Sequence, residues 1–184
     1  DHLPMDHMPR EDVVAKPSLL PAQARLFRLR RALATRGLME AVTFSFLSGD
    51  DAVRFGGGAD NLKLVNPISA DLSVMRPSIL PNLLSASTRN QDRGEADAAL
   101  FEVGPVFLGD APEDQRTAAT GIRHGGTAPR EWHGSSRAID VFDARADAEA
   151  ALAALGVKLA GLQVKAEGPD WFHPGRRGQL IQGR

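Results

Sequence analysis

The polar and apolar positions of this 184-residue chain change rhythm several times, and each change predicts an element. From Ser18 to Arg36, Ala22, Leu26, Leu29 and Leu33 recur at helical spacing. Ser18 is available as a cap, Pro21 suits the first turn and Gly37 ends the run. Met39 to Leu47 then alternates, with Val42, Phe44 and Phe46 on one face of a predicted strand and Thr43 and Ser45 on the other. Asp50 to Phe55 reads as a short helix and Gly56-Gly57-Gly58 as a loop.

The stretch from Leu62 to Phe107 organises the rest. It predicts strand, turn, capped helix and strand: Ser78 caps, Pro81 falls where a missing amide donor is harmless, and Ile79, Leu80, Leu83 and Leu84 form an apolar opening face. Gly94 sits where a left-handed cap is wanted, and Gly104-Pro105 is expected to break the regularity of the β-rich run Leu100 to Phe107. Beyond a polar turn from Gly109 to Arg116, a strand is expected over Thr117 to His124, then a loop to Ser136 with Trp132 anchored on the core. Ala138 to Phe142 could pair in a sheet before Asp143 caps a helix through Leu155, closed by Gly156. Ala146, Ala150, Leu152 and Leu155 would lay that helix flat on a sheet. Leu159 to Val164 and Gln179 to Gln182 read as further strands, separated by a turn from Gly168 to Gly178. The sum is an α+β fold, a mainly antiparallel sheet with helices on one face. Residues 1–17, with Pro4, Pro9 and Pro17 and no periodicity, read as an arm from a preceding domain, and 18–184 as one core domain, incomplete at its C-terminal end. The absence of an initiator methionine suggests a fragment of a longer chain.

Composition narrows the chemistry. Zero cysteines remove disulfides, thiolate metal sites and cysteine nucleophiles together. No apolar run reaches the roughly 20 residues of a membrane span. A formal net charge of −1 argues against a protein that holds nucleic acid through its overall field, and leaves room for a local basic patch. The first predicted helix carries Arg25, Arg28, Arg30, Arg31 and Arg36 without one acidic residue. That row is either a solvated face or a surface for an acidic partner helix or for phosphates. The triple glycine lacks the Lys-Ser or Lys-Thr of a P-loop, and neither a Gly-x-Ser-x-Gly nor a His-Glu-x-x-His is present. His2 and His7 lack the neighbours a metal needs, and His124, His133 and His173 read as turn or surface residues.

Asn66-Pro67-Ile68-Ser69, Val74-Met75-Arg76-Pro77-Ser78, Leu83-Leu84, Asn90 and Leu100-Phe101-Glu102-Val103-Gly104 resemble, in order, the catalytic-like core domain of the phenylalanyl-tRNA synthetase β-subunit family. The resemblance extends from Arg36-Gly37-Leu38-Met39-Glu40 to His173-Pro174-Gly175-Arg176 and so covers nearly the whole chain. It implies a class II synthetase-like core. The helix and strand at 18–47 match the layout of motif 1, the dimer-forming element, without its proline, so the helix would meet the catalytic α subunit. Leu100 to Phe107 is similar to the first strand of motif 2, whose arginine clamps ATP in working synthetases. Here the following loop carries Asp110, Glu113 and Asp114, which would repel a triphosphate, and no glycine-rich segment ending in Glu-Arg follows. The expectation is a non-catalytic domain with no catalytic, cofactor or metal residues of its own. Arg25, Arg28, Arg31, Arg76, Arg89 and Arg93 are the candidate partner or tRNA surface, and Arg76 is read as either pairing structurally or touching the partner. The resemblance implies ATP, magnesium, phenylalanine and tRNA for the intact complex, an α-subunit partner in a heterotetramer, and a cytoplasmic location. The alternatives are a tRNA-binding module or an amino-acid or nucleotide sensor on the same fold.

Overall fold

The computed structural model describes residues 18–128, 132 and 134–183; the expected arm at 1–17 lies outside them. A three-stranded sheet forms the centre. β4 (Ala98–Phe107) pairs antiparallel along its whole length with β5 (Gln115–His124), and on its other side runs parallel to the two-residue β1 (Met39–Glu40). Two small two-stranded sheets flank it: β2 (Phe46–Leu47) with β3 (Val74–Met75), and β6 (Leu162–Lys165) with β7 (Gln179–Gln182).

Alternation along β4 gives the sheet two apolar faces. Phe101 and Val103 pack with Leu38 and with Leu29 and Leu33 of α1 (Pro21–Thr35), and Ala151 of α4 (Val141–Ala154) closes over them. Leu100 and Val106 point the other way, onto Ile79 and Leu83 at the start of α3 (Leu80–Gln91). Helices therefore cover both faces, not one, because strand residues of both parities are apolar. A third cluster, Leu47, Ala52, Leu62 and Val74, ties the β2–β3 pair to the short α2 (Gly49–Arg54), with Phe107 packed against it.

Several expectations change in the structure. The run Met39 to Leu47 is not one strand: β1 and β2 belong to different sheets, and 41–45 crosses between them. Its facing is inverted, since Val42 is 90% and Phe44 63% exposed while Thr43 points at the sheet's charged centre. Leu62 to Val65 forms only an isolated bridge from Lys63 to Val74. Gly104-Pro105 does not break β4. The main-chain groups of Phe101 and Phe107 face away from β5, bonding Ala41 and Arg76, so Pro105, in phase with them, lacks its N–H on the side where no ladder bond is lost.

The helix ends differ from the sequence reading in detail. Ser18 does not cap α1, which starts with Leu20 as N-cap and Pro21 in the first turn, while the Leu20 amide donates to Gln23 Oε1 at 2.9 Å. Ser78 Oγ accepts from the Leu80 amide at 3.2 Å, one residue outside the helix boundary. For α4 the cap is Asp140, not Asp143: Asp140 Oδ1 accepts from the Phe142 and Asp143 amides, and Asp143 returns a bond to the Asp140 amide. The packed face of α4 runs through Asp147 and Ala151, not Leu155, which is 39% exposed. Trp132 is 96% exposed and does not anchor the loop on the core. Gly37, Gly94 and Gly156 adopt positive φ just beyond α1, α3 and α4, as a left-handed cap requires.

Candidate functional site

The centre of the sheet holds a buried ion pair. Arg76 leaves the end of β3 with its amide bonded to Ser45 O at 3.0 Å and its carbonyl accepting from the Phe107 amide at 3.0 Å. Its side chain, 1% exposed, lies across β4. Nη2 meets Glu102 Oε1 at 2.8 Å, Nε donates to Pro105 O at 2.8 Å, and Nη1 donates to Thr43 Oγ1 at 3.0 Å and toward Phe44 O at 3.4 Å. The Thr43 hydroxyl donates in turn to Glu102 Oε2 at 2.6 Å. Both carboxylate oxygens are thus used, and all three guanidinium nitrogens.

Gly104 makes the approach possible. A Cβ there would stand 2.6 Å from Arg76 Nη2 and 3.2 Å from Glu102 Oε1, so the guanidinium lies directly on bare backbone. The cluster joins the 41–45 crossover, β3 and β4 at one point. Its charge is neutralised internally, leaving none to offer a ligand.

The loop between β4 and β5 does not compensate. Leu108 N bonds Asp114 O at 3.1 Å and Asp114 N bonds Ala111 O at 3.0 Å, closing a tight turn that carries Asp110, Glu113 and Asp114. Of the two arginines on β5, Arg123 is committed to Asp147; Arg116 is exposed beside that acidic turn. This residue set does not fit a triphosphate, which needs cations aimed where its charge sits.

A second ion cluster fastens α4 to the sheet. Asp147 accepts from Arg123 Nε at 2.6 Å and from Arg36 Nε, while Arg123 Nη2 also donates to Arg36 O at 2.7 Å. Burial alone would raise the Asp147 pKa; the hydrogen bonds from Arg123 and Arg36 and their charges outweigh it and hold the carboxyl below its ordinary value. Near the helix start, hydrogen bonds from Arg137 and from the Asp140 amide lower Asp143 to about 2.

The six arginines singled out from sequence do not form one surface. Arg25, Arg28 and Arg31 are exposed on the outer side of α1, beside Phe27, which is itself 53% exposed. Arg89 and Arg93 lie on and just after α3, across the sheet. Of the two readings of Arg76, structural pairing holds and surface contact does not, because its guanidinium is buried and spent on Glu102, Thr43 and main-chain carbonyls. Two other members of the α1 row are also structural: Arg36 binds Asp147, and Arg30 binds Glu40 at 2.7 Å and Val103 O at 3.1 Å. Sequence reasoning missed Thr43 and Asp147, whose partners are far away in the chain. Glu102 stood in the motif but carried no signal of its own charge partner.

Among the described residues no group of three or more His, Asp or Glu is placed to hold a metal, and no helix is long and apolar enough to cross a membrane.

Comparison with known proteins gives the family and the fold. The family model described as the phenylalanyl tRNA synthetase beta chain CLM domain matches residues 6–184. The phenylalanine–tRNA ligase beta subunit of Paramagnetospirillum magneticum is 54% identical over 183 residues, covering 100% of this chain and 23% of that protein. Its counterpart in Rhodospirillum rubrum is 52% identical over 184 residues with the same coverage. The chain thus spans about a quarter of the length of these relatives. Among solved structures, a pyrrolysyl-tRNA synthetase from Desulfitobacterium hafniense superposes with a TM-score of 0.58 at 18% identity, over 86% of this chain and 54% of that one. A histidine–tRNA ligase subunit from Alicyclobacillus acidocaldarius gives 0.57 at 18% identity, over 85% and 46%. At such identities these two speak for the fold alone, a class II synthetase-like core. The match along the whole of this chain at over half identity goes further, and the chain belongs to the family of phenylalanyl-tRNA synthetase β-chain CLM domains.

Proposed function

We propose that this chain is a structural core of a phenylalanine–tRNA ligase β subunit, whose work is to hold the catalytic α subunit rather than to activate an amino acid. The observation that carries this reading is the state of Arg76. It is the arginine at the centre of the sheet, and its charge is locked onto Glu102 inside the fold. A domain that stabilised the charge of a reacting triphosphate would keep such a cation facing the ligand. Here the same position cements three segments of backbone.

The docking surface we assign is the outer side of α1. Arg25, Arg28 and Arg31 make no ion pair among the described residues, and Arg28 and Arg31 border a shallow cavity with Phe27 and Ala154. An apolar ring between free guanidinium groups suits an amphipathic acidic helix, whose carboxylates would pair at the rim while a side chain covers Phe27. In the intact ligase, expected as a cytoplasmic heterotetramer, ATP, magnesium and phenylalanine would be handled by the α subunit, with tRNA lying across both.

Co-expression with an α subunit, followed by affinity purification and native mass measurement, tests this reading, with the full β chain as the positive control. We expect a stable complex with the unmodified β chain and at least a tenfold loss of association for Arg25→Glu/Arg28→Glu/Arg31→Glu. Normal assembly of that variant would remove α1 from the interface. If the variant instead assembles but loses tRNA, the freestanding tRNA-binding reading of the same helix takes its place.

A further inference from the structure

A second cationic surface lies on the far side of the sheet from α1, next to an aromatic shelf. Phe55, just past α2, packs against Trp171 with centroids 5.7 Å apart and planes tilted by 50°, and Trp171 meets Phe172 at 6.2 Å. Gly56 permits this. Its φ is +87°, and the Trp171 ring lies 3.3 Å from where a Cβ would stand. Two consecutive turns hold the shelf in place: the Phe172 amide donates to Pro169 O at 3.1 Å and the Arg176 amide to His173 O at 3.0 Å. Both outer rings remain open, Trp171 37% and Phe172 45% exposed.

On its other side Phe55 lines a cavity of about 380 Å³ together with Arg54 and Arg89. Arg54, Arg89 and Arg176 are exposed and form no ion pair among the described residues. The acids there include Asp170, held by Arg177 at 3.4 Å, and Asp51 in the cavity wall, which accepts from the Ser48 hydroxyl at 2.9 Å and keeps its charge. Three arginines without an ion pair among the described residues, against the single cavity carboxylate of Asp51, thus flank a wettable aromatic step. Phosphates answer the cations, and nucleobases answer exposed rings fixed from beneath.

We propose that this strip, from Arg89 and Arg54 across Phe55 to Trp171, Phe172 and Arg176, binds unpaired nucleotides of a single-stranded RNA. The phosphates lie along Arg89, Arg54 and Arg176, and a base stacks on Trp171 or Phe172. An RNA rather than a nucleotide is the ligand because Arg54 and Arg89 share one cavity while Arg176 stands outside it, in the 173–176 turn next to the exposed rings. The proposal is independent of α1 docking, so either can fail without the other.

The test is fluorescence titration of a Trp132→Phe chain, in which Trp171 is the sole indole, with a single-stranded oligoadenylate of eight nucleotides at about 50 mM salt. We expect saturable quenching, with the logarithm of affinity falling by about 0.7 per phosphate contacted for each tenfold rise in salt. Arg54→Glu/Arg89→Glu/Arg176→Glu should weaken binding at least tenfold and flatten that slope by roughly 2. Trp171→Ala, followed by polarisation of a labelled oligonucleotide, should lose roughly tenfold or more, with Trp171→Phe restoring most of it. An abasic oligomer and a blunt RNA duplex of the same length should bind at least tenfold more weakly. Absence of saturable binding, binding that survives the charge reversal, or equal affinity for the abasic strand or the duplex would each overturn the proposal.

Discussion

Replacing Glu102 by Gln isolates the buried ion pair. The change keeps size and shape, so β4 need not move, yet it leaves the Arg76 guanidinium charged at 1% exposure with an amide as its partner. Thr43 then donates to a neutral oxygen in place of a carboxylate. Removing one partner of a buried pair costs about 3–5 kcal/mol, because the remaining charge has lost both water and its counter-ion. Against a typical domain stability of roughly 5–15 kcal/mol this is a large fraction. With a urea m-value of about 2 kcal/mol/M, the unfolding midpoint read by circular dichroism should fall by roughly 2 M. Arg76→Met alone should cost a similar amount, whereas Arg76→Met/Glu102→Leu should lose at least about 2 kcal/mol less than the sum of the single changes, since no orphan charge remains. A Glu102→Gln midpoint within about 0.5 M of the unmodified chain, which corresponds to about 1 kcal/mol, would refute the reasoning.

Gly104→Ala should destabilise by about 1–3 kcal/mol, because its methyl would stand 2.6 Å from Arg76 Nη2; equal urea midpoints would show that the guanidinium has room to move. Acid should loosen α4. Asp147 and Asp143 both have folded pKa values below the ordinary carboxylate range, so their contributions are complete above about pH 4 and disappear as pH falls, for Asp143 through about 2. Helix content against pH should therefore fall in that window, and Asp147→Asn should flatten the fall while costing about 1.5–3 kcal/mol at neutral pH; an unchanged acid limb would count against the clamp. Asp140→Ala should cost about 1 kcal/mol through loss of the α4 cap, and Asp143→Ala should remove the reciprocal bond and the Arg137 pair, while a larger effect at Ser18 or Ser78 would contradict the cap assignment.

Local chemistry made much of the fold legible in the sequence. Both long strands of the central hairpin, the helices α1, α3 and α4, and the glycines that end them follow from periodicity and from the need for positive φ at Gly37, Gly94 and Gly156. What escaped depends on partners distant in the chain. The alternation at 42–46 looked like an ordinary strand with its apolar side packed. The pull that turns Thr43 inward comes from Glu102, 59 residues later, and Val42 and Phe44 are left outside. Arg76 illustrates the same limit. The sequence leaves it open to structural pairing or partner contact, and the bare backbone of Gly104 with the carboxylate beside it decides for the interior pair. The sequence reading puts the α4 cap at Asp143. The reciprocal capping box puts it at Asp140 and makes Asp143 the returning partner.

Calorimetric titration of the chain with Mg-ATP tests the central claim most directly, since that claim is that the cation at the heart of the sheet is already neutralised. No saturable heat is predicted up to millimolar nucleotide, for the unmodified chain and for Arg76→Met alike. A stoichiometric isotherm with a micromolar Kd, lost in Arg76→Met and in a folded Arg76→Met/Glu102→Leu chain, would mean that Arg76 lets go of Glu102 to hold phosphate, and the scaffold account would be wrong.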